Sequence, residues 1–184
     1  MKMDFKYNYL FIHIYIFIEY ILLKVYSYDL LINDDNDMNK IFNDINSITS
    51  VNELNLIFSN KTYKIPLTGS NNFQFQNTVR FQGVNNETIF DFQNKDGGSF
   101  DISPVHGISN SDKKIIFENI TFYNFYERNY LCLFNMECTD DINILEFNNC
   151  TFINNKGISF FFKVSCTKLT HSQPQVMFNN CRFL

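Results

Sequence analysis

From residue 54 onward the chain is a succession of short apolar runs broken by Asn, Gly, Ser or Asp. The runs at residues 54–58, 61–65, 73–75, 79–81, 88–92, 115–117, 144–147 and 158–164 are rich in Ile, Phe, Val and Thr. These side chains suit a pleated, half-buried surface, so each run is predicted to be a strand. The grammar is all-β, and sandwich, barrel and solenoid all satisfy it. One earlier stretch differs: in residues 33–46, Met38, Ile41, Phe42 and Ile45 fall at i, i+3, i+4 and i+7, which is a single helical stripe. The acidic and Asn residues just before it suit a helix N-terminus, where side-chain oxygens meet unpaired N–H groups. A short amphipathic helix is predicted there and nowhere else.

A repeat narrows the β architecture. Phe117-Glu-Asn-Ile-Thr-Phe-Tyr-Asn124, Phe147-Asn-Asn-Cys-Thr-Phe-Ile-Asn154 and Phe178-Asn-Asn-Cys-Arg-Phe183-Leu184 share the order Phe-x-Asn-(Ile/Cys)-x-Phe. They recur at spacings of 30 (117 to 147) and 31 (147 to 178), each behind a short apolar strand. A period of this length built from short strands fits one coil of a parallel β-solenoid, in which successive turns stack about 4.8 Å apart. With Asn119 at a corner between two strands, Phe117, Ile120 and Phe122 point inward. Equivalent residues then stack: Phe117 on Phe147 on Phe178, Phe122 on Phe152 on Phe183, and Asn119 on Asn149 on Asn180. A corner amide in such a row is satisfied by the neighbouring coil. An antiparallel β-sandwich is the alternative, because it too uses short strands at regular spacing.

The first segment reads as an address. Lys2 and Lys6 precede an apolar run over residues 9–25, and Val25-Tyr26-Ser27 fits a signal-peptide cleavage site. A retained membrane anchor is the alternative, although His13, Glu19 and Lys24 interrupt the run. Removing 27 of the 184 residues leaves 157, enough for a real core. The expected organisation is a signal peptide over 1–27, an N-terminal cap with the helix over 28–53, and coils over 54–184. Composition adds little beyond this. A net charge of −4 with 18% charged residues carries no basic nucleic-acid footprint, and 17% aromatic residues exclude a disordered acidic chain. The 27 asparagines are equally a mark of codon bias.

The three Phe-x-Asn copies, with Leu54-Asn-Leu-Ile-Phe58 followed by Asn60-Lys-Thr-Tyr-Lys-Ile-Pro66, resemble the right-handed parallel β-helix proteins of the pectin-lyase-like superfamily over about residues 36–184. The resemblance implies a right-handed coil whose first turn is capped by the helix over residues 38–45. It says little about function, since this scaffold serves lyases, hydrolases and adhesins alike. The family's galacturonan hydrolases carry Asn-Thr-Asp, Asp-Asp, Gly-His-Gly and Arg-Ile-Lys motifs. Only Asp140-Asp141 has a counterpart in this chain, and it reads as a solvated loop.

The remaining chemistry is sparse. Asp91 and Asp101 flank Gly97-Gly98 and read as turn residues, and their spacing is not a calcium loop. His106 sits in Pro104-Val-His106-Gly107 and His171 is isolated, neither with an identifiable nucleophile. No catalytic residue, metal site or cofactor site is assigned. Cys132, Cys138, Cys150, Cys166 and Cys181 contain no CxxC pair. Cys138 and Cys166, 28 residues apart before consecutive repeats, are the disulfide candidates, because neighbouring coils bring equivalent Cα atoms into the bridging range of about 4.4–6.8 Å. Cys150 and Cys181 occupy the inward Ile120 position and are expected as buried, stacked thiols. Asn60, Asn86, Asn119 and Asn149 each begin an N-glycosylation sequon. Asn60 and Asn86 are the favoured acceptors, since the corner row occupies Asn119 and Asn149.

The expected function is a secreted or cell-surface β-helix module that binds or displays to an extracellular glycan or matrix partner without catalysis. The alternative is a polysaccharide lyase or hydrolase whose catalytic residues lie mostly outside this chain. Nucleic acid is not an expected partner, and a membrane is one only through residues 9–25 or a missing C-terminus. The last repeat stops inside a strand, which reads as truncation and as an end coil open to self-association.

Overall fold

The computed structural model describes residues 27–35, 38, 40, 41, 45, 48, 51–59, 61–67, 71–75, 78–85, 87–104, 113–126, 132–138, 145–164 and 176–184, without the side chains of residues 74, 75, 104, 137, 138, 158, 159 and 161–164. Its strands are β1 (Ser27–Ile32), β2 (Glu53–Phe58), β3 (Thr62–Lys64), β4 (Asn71–Phe75), β5 (Thr78–Gln82), β6 (Thr88–Asp91), β7 (Phe100–Pro104), β8 (Ile115–Glu118), β9 (Ile120–Tyr123), β10 (Cys132–Cys138), β11 (Leu145–Asn148), β12 (Thr151–Ile153), β13 (Ile158–Val164), β14 (Val176–Asn179) and β15 (Arg182–Phe183).

These strands form three sheets, ordered β1-β2-β5-β8-β11-β14, β3-β6-β9-β12-β15 and β4-β7-β10-β13. Successive strands of the chain visit the sheets in turn, so β2-β3-β4, β5-β6-β7, β8-β9-β10 and β11-β12-β13 are coils of a parallel β-solenoid. Every strand pairing is parallel. That removes the antiparallel sandwich as a reading of this chain. Along the first sheet Val79 pairs with Ile115, Ile115 with Leu145 and Leu145 with Val176, which are steps of 36, 30 and 31 residues.

Period-two alternation turns one side of each strand inward, and phenylalanine dominates that side. Three columns result, one per sheet. Phe81, Phe117, Phe147 and Phe178 stack at centroid distances of 4.6, 5.4 and 4.9 Å with nearly parallel rings. Phe122, Phe152 and Phe183 stack at 4.9 and 4.8 Å, and Phe73, Phe100, Phe134 and Phe160 at 5.6, 5.1 and 5.4 Å. Between columns the rings meet edge to face, as in the triangle of Phe117, Phe122 and Phe134. Parallel stacking along the axis with edge contacts across it is an arrangement that the ring quadrupole favours. The third column was not anticipated as a sheet, and the strands Phe100–Pro104 and Cys132–Cys138 lie outside the predicted runs.

Towards the first coil the core is closed by Ile32, Met38, Ile41 and Ile45, all buried. These last three belong to the predicted helical stripe; Phe42 falls outside the described residues, and no helix is delineated as an element among them. The segment assigned to the cap also supplies β1, which extends the first sheet by pairing with β2. Of the signal peptide expected over 1–27, residues 1–26 lie outside the described residues, and Ser27 begins β1. Among the described residues no helix is long and apolar enough to cross a membrane.

Tyr63 joins β1 to the first coil. It is fully buried, and its hydroxyl donates to the Ile32 carbonyl at 2.6 Å, accepts from the Ser59 N–H at 3.0 Å, and pairs with the Ser59 hydroxyl at 2.7 Å. Tyr63→Phe keeps the ring but orphans these groups, so it is expected to cost about 1–2 kcal/mol. Urea denaturation checks this; unchanged stability would show that water replaces the hydroxyl.

Candidate functional site

The corners between sheets hold the most ordered polar chemistry. A sharp corner between two strands calls for left-handed backbone, and among residues with a Cβ, Asn enters that region most readily. Asn119, Asn149 and Asn180 have φ of 57°, 53° and 54°. Their amides are joined along the axis: Asn149 Nδ2 donates to Asn119 Oδ1 at 3.4 Å, and Asn180 Nδ2 to Asn149 Oδ1 at 2.6 Å. The backbone runs parallel to this row, with Asn119 N–H donating to Asn148 O and Asn149 N–H to Asn179 O.

Gly83 occupies the same place one coil earlier. It lies two residues after Phe81, as Asn119 lies two after Phe117, and its N–H donates to Glu118 O at 2.8 Å. A Cβ at Gly83 would lie 2.3 Å from Asn119 O and 2.8 Å from Thr88 Cβ. The row therefore starts at Asn119; one coil earlier a longer corner runs from Gly83 into Thr88 and the strand it begins.

Two further rows were not foreseen. Asn154 Nδ2 donates to Asn124 Oδ1 at 2.6 Å at the next corner, where both residues again have positive φ, 52° and 61°. Asn179 Nδ2 donates to Asn148 Oδ1 at 2.8 Å on the outward face of the first sheet. The repeat displayed all these asparagines, since Asn124 and Asn154 end its first two copies. Asn155 serves a structural purpose inside the second corner, accepting from Phe125 N–H at 2.8 Å and donating to Phe122 O at 3.0 Å. Charged groups are paired on the first sheet: Arg80 meets Glu53 and Glu118 at 3.2 Å each, and Lys114 meets Glu146 at 2.7 Å.

The sequence candidates distribute as follows. Asn119 and Asn149 stand in the corner row, while Asn60 and Asn86 lie outside the described residues, as do Asp140, Asp141, His106, His171 and Cys166. Cys138 ends β10 opposite Val164, and its side chain is not among those described. Asp91 accepts from Gln93 N–H at 2.8 Å and from Asn124 Nδ2 at 3.4 Å, which fits a residue leading into a turn. Asp101 is not a turn residue: it lies within β7, where its carboxylate accepts from Asn135 Nδ2 of the next coil at 3.0 Å. The strand continues through it because Phe100 and Ile102 on either side are core residues. No cluster of three or more His, Cys, Asp or Glu with metal-ligand geometry occurs among the described residues.

Cys150 and Cys181 form a stacked thiol pair at the inward position that Ile120 fills one coil earlier. Cys150 Sγ lies 3.4 Å from Phe117 O, and Cys181 Sγ lies 3.3 Å from Phe147 O, so the two thiols repeat one geometry. Burial pushes the Cys150 thiol far above its ordinary range. The Cys181 thiol, only partly buried and hydrogen-bonded to Cys150, is lowered to about 7.

Compared with known proteins, the chain finds no counterpart: no family model matches it, no curated protein matches it, and no solved structure matches it.

Proposed function

We propose that this chain is a secreted or cell-surface β-solenoid module, of the right-handed pectin-lyase-like kind, that binds or displays to an extracellular glycan or matrix polymer without catalysing its cleavage. The observation that carries this reading is the set of amide rows that join neighbouring coils from Asn119 onward, on corners and outward face. Asn149 commits one N–H and one oxygen lone pair to its row, and the end members of the rows commit one or the other. A second N–H and a second lone pair remain, the complement that sugar hydroxyls require. A repeating row suits a repeating polymer, because the coils from Asn119 onward offer the same contact again. The leader-like first segment and the sequons support an extracellular setting.

The test is retention of the chain on immobilised neutral and acidic polysaccharides, with paired substitution Asn154→Ala and Asn179→Ala at two exposed row positions. Binding to at least one polymer, weakened about tenfold by the pair, is expected for the loss of amide contacts. Failure of every polymer to retain the chain would overturn the reading. Shortening of a polymer during the assay would replace it with the lyase or hydrolase alternative.

A further inference from the structure

We propose that Cys150 and Cys181 are a dithiol site that a small-molecule disulfide converts into a disulfide bridge between neighbouring coils. Their alignment follows from the pairings on either side: Asn148 stands opposite Asn179, and Thr151 opposite Arg182. Arg182 N–H donates to Cys150 O at 3.0 Å, which holds the two cysteine backbones together. In-register parallel neighbours lie about 4.8 Å apart, inside the Cα range of about 4.4–6.8 Å that a disulfide spans. Both side chains leave the backbone on the same, inward side. Each thiol leans towards a phenylalanine carbonyl of the preceding coil, so Cys181 Sγ reaches towards the coil that carries Cys150. Beyond Ile120 the column continues to Thr88, whose hydroxyl donates to Ser59 O at 3.1 Å, which leaves these two sulfurs as the column's thiols.

The two thiols differ in a way that sets the order of events. Cys150 is buried, whereas Cys181 is partly open to solvent. Cys181 is therefore the entry point, and its lowered thiol supplies a thiolate near neutral pH. The Cys181 thiolate attacks one sulfur of a low-molecular-weight disulfide RS–SR, forming Cys181–S–SR and releasing RS⁻. The released RS⁻ takes the Cys150 proton, and the Cys150 thiolate so formed attacks Cys181 Sγ and expels the second RS⁻. The second RS⁻ takes a proton from water. Overall, two cysteine thiols and one RS–SR give one protein disulfide and two RSH, with the protein oxidised and the small disulfide reduced. This chemistry stands apart from the glycan-binding reading and is tested separately from it.

The experiment treats the folded full chain with oxidised glutathione at neutral pH, quenches with acid, and maps cysteines by mass spectrometry. The expected product has lost two hydrogens, joins the Cys150 and Cys181 peptides, and retains no glutathione on either residue. Cys150→Val, which places a β-branched side chain like Ile120 in the column, is expected to retain a glutathione adduct on Cys181. A lasting adduct on Cys181 of the unmodified chain, an unreacted Cys150, or a bridge from either residue to Cys132, Cys138 or Cys166 would overturn the proposal. Because the unmodified chain decides the outcome, a poorly folded variant leaves the test intact.

Discussion

Replacing Phe147 with alanine is expected to destabilise the protein by about 4 kcal/mol, lowering its melting temperature by on the order of 10 °C. Phe147 is fully buried where the three phenylalanine columns meet. Its ring lies parallel to Phe117 at 5.4 Å and to Phe178 at 4.9 Å, and edge-on to Phe134 at 4.9 Å and Phe152 at 5.5 Å. Truncation forfeits apolar burial and also opens a cavity that stacked, hydrogen-bonded coils cannot collapse to fill. Phe183 provides the comparison: its ring stacks on Phe152 at 4.8 Å but is 57% exposed. Phe183→Ala is expected to cost about 1 kcal/mol or less. Urea unfolding of both variants checks the pair; equal losses would mean that the columns do not carry the core.

Asn149→Ala is expected to cost about 2–3 kcal/mol, for two separable reasons. Its backbone sits at φ 53°, where a Cβ without a local hydrogen bond is penalised. Its amide also links Asn119 to Asn180, donating to one and accepting from the other. Asn149→Gly removes the same amide contacts but relieves the backbone, so it is expected to cost about 1 kcal/mol less than alanine. Chemical denaturation of the two variants separates corner geometry from amide pairing. If glycine proves as costly as alanine, the left-handed corner is not what selects Asn here.

The difference between what the sequence revealed and what it hid follows coil geometry. The last coils were legible because their first corner is short and constant. Phe122 follows Phe117 by five positions, as Phe152 follows Phe147 and Phe183 follows Phe178, so the copies align by eye. In the second coil the equivalent residues Phe81 and Phe90 lie nine apart, because the chain from Gly83 to Glu87 lengthens the corner. That disguises a coil whose register is otherwise regular. The third sheet was hidden for a related reason: its strands follow segments of varying length and carry no Phe-x-Asn punctuation. Phe100 and Phe134 are partners across 34 residues, Phe134 and Phe160 across only 26.

Polar chemistry was legible by position more than by partner. The Asn119 row was visible because the residue type, the corner and the period coincided. The Asn124 row occupied the same repeat, yet its corner had no second strand in the prediction to define it. Cys150 and Cys181 were readable as inward thiols from their alignment with Ile120. Their unequal exposure depends on packing around each coil, which no spacing encodes.

The central claim is that consecutive copies stack in parallel, with equivalent residues in contact across a full coil. Proton NOE spectroscopy on the chain, with residue-specific assignments of its phenylalanine rings, tests this directly. Contacts between the rings of Phe117 and Phe147, Phe122 and Phe152, and Phe134 and Phe160 are the expected result, since their centroids lie 5.4, 4.9 and 5.4 Å apart. Absence of these three contacts, with cross-strand NOEs in an antiparallel pattern, would contradict the solenoid and every ladder that depends on it.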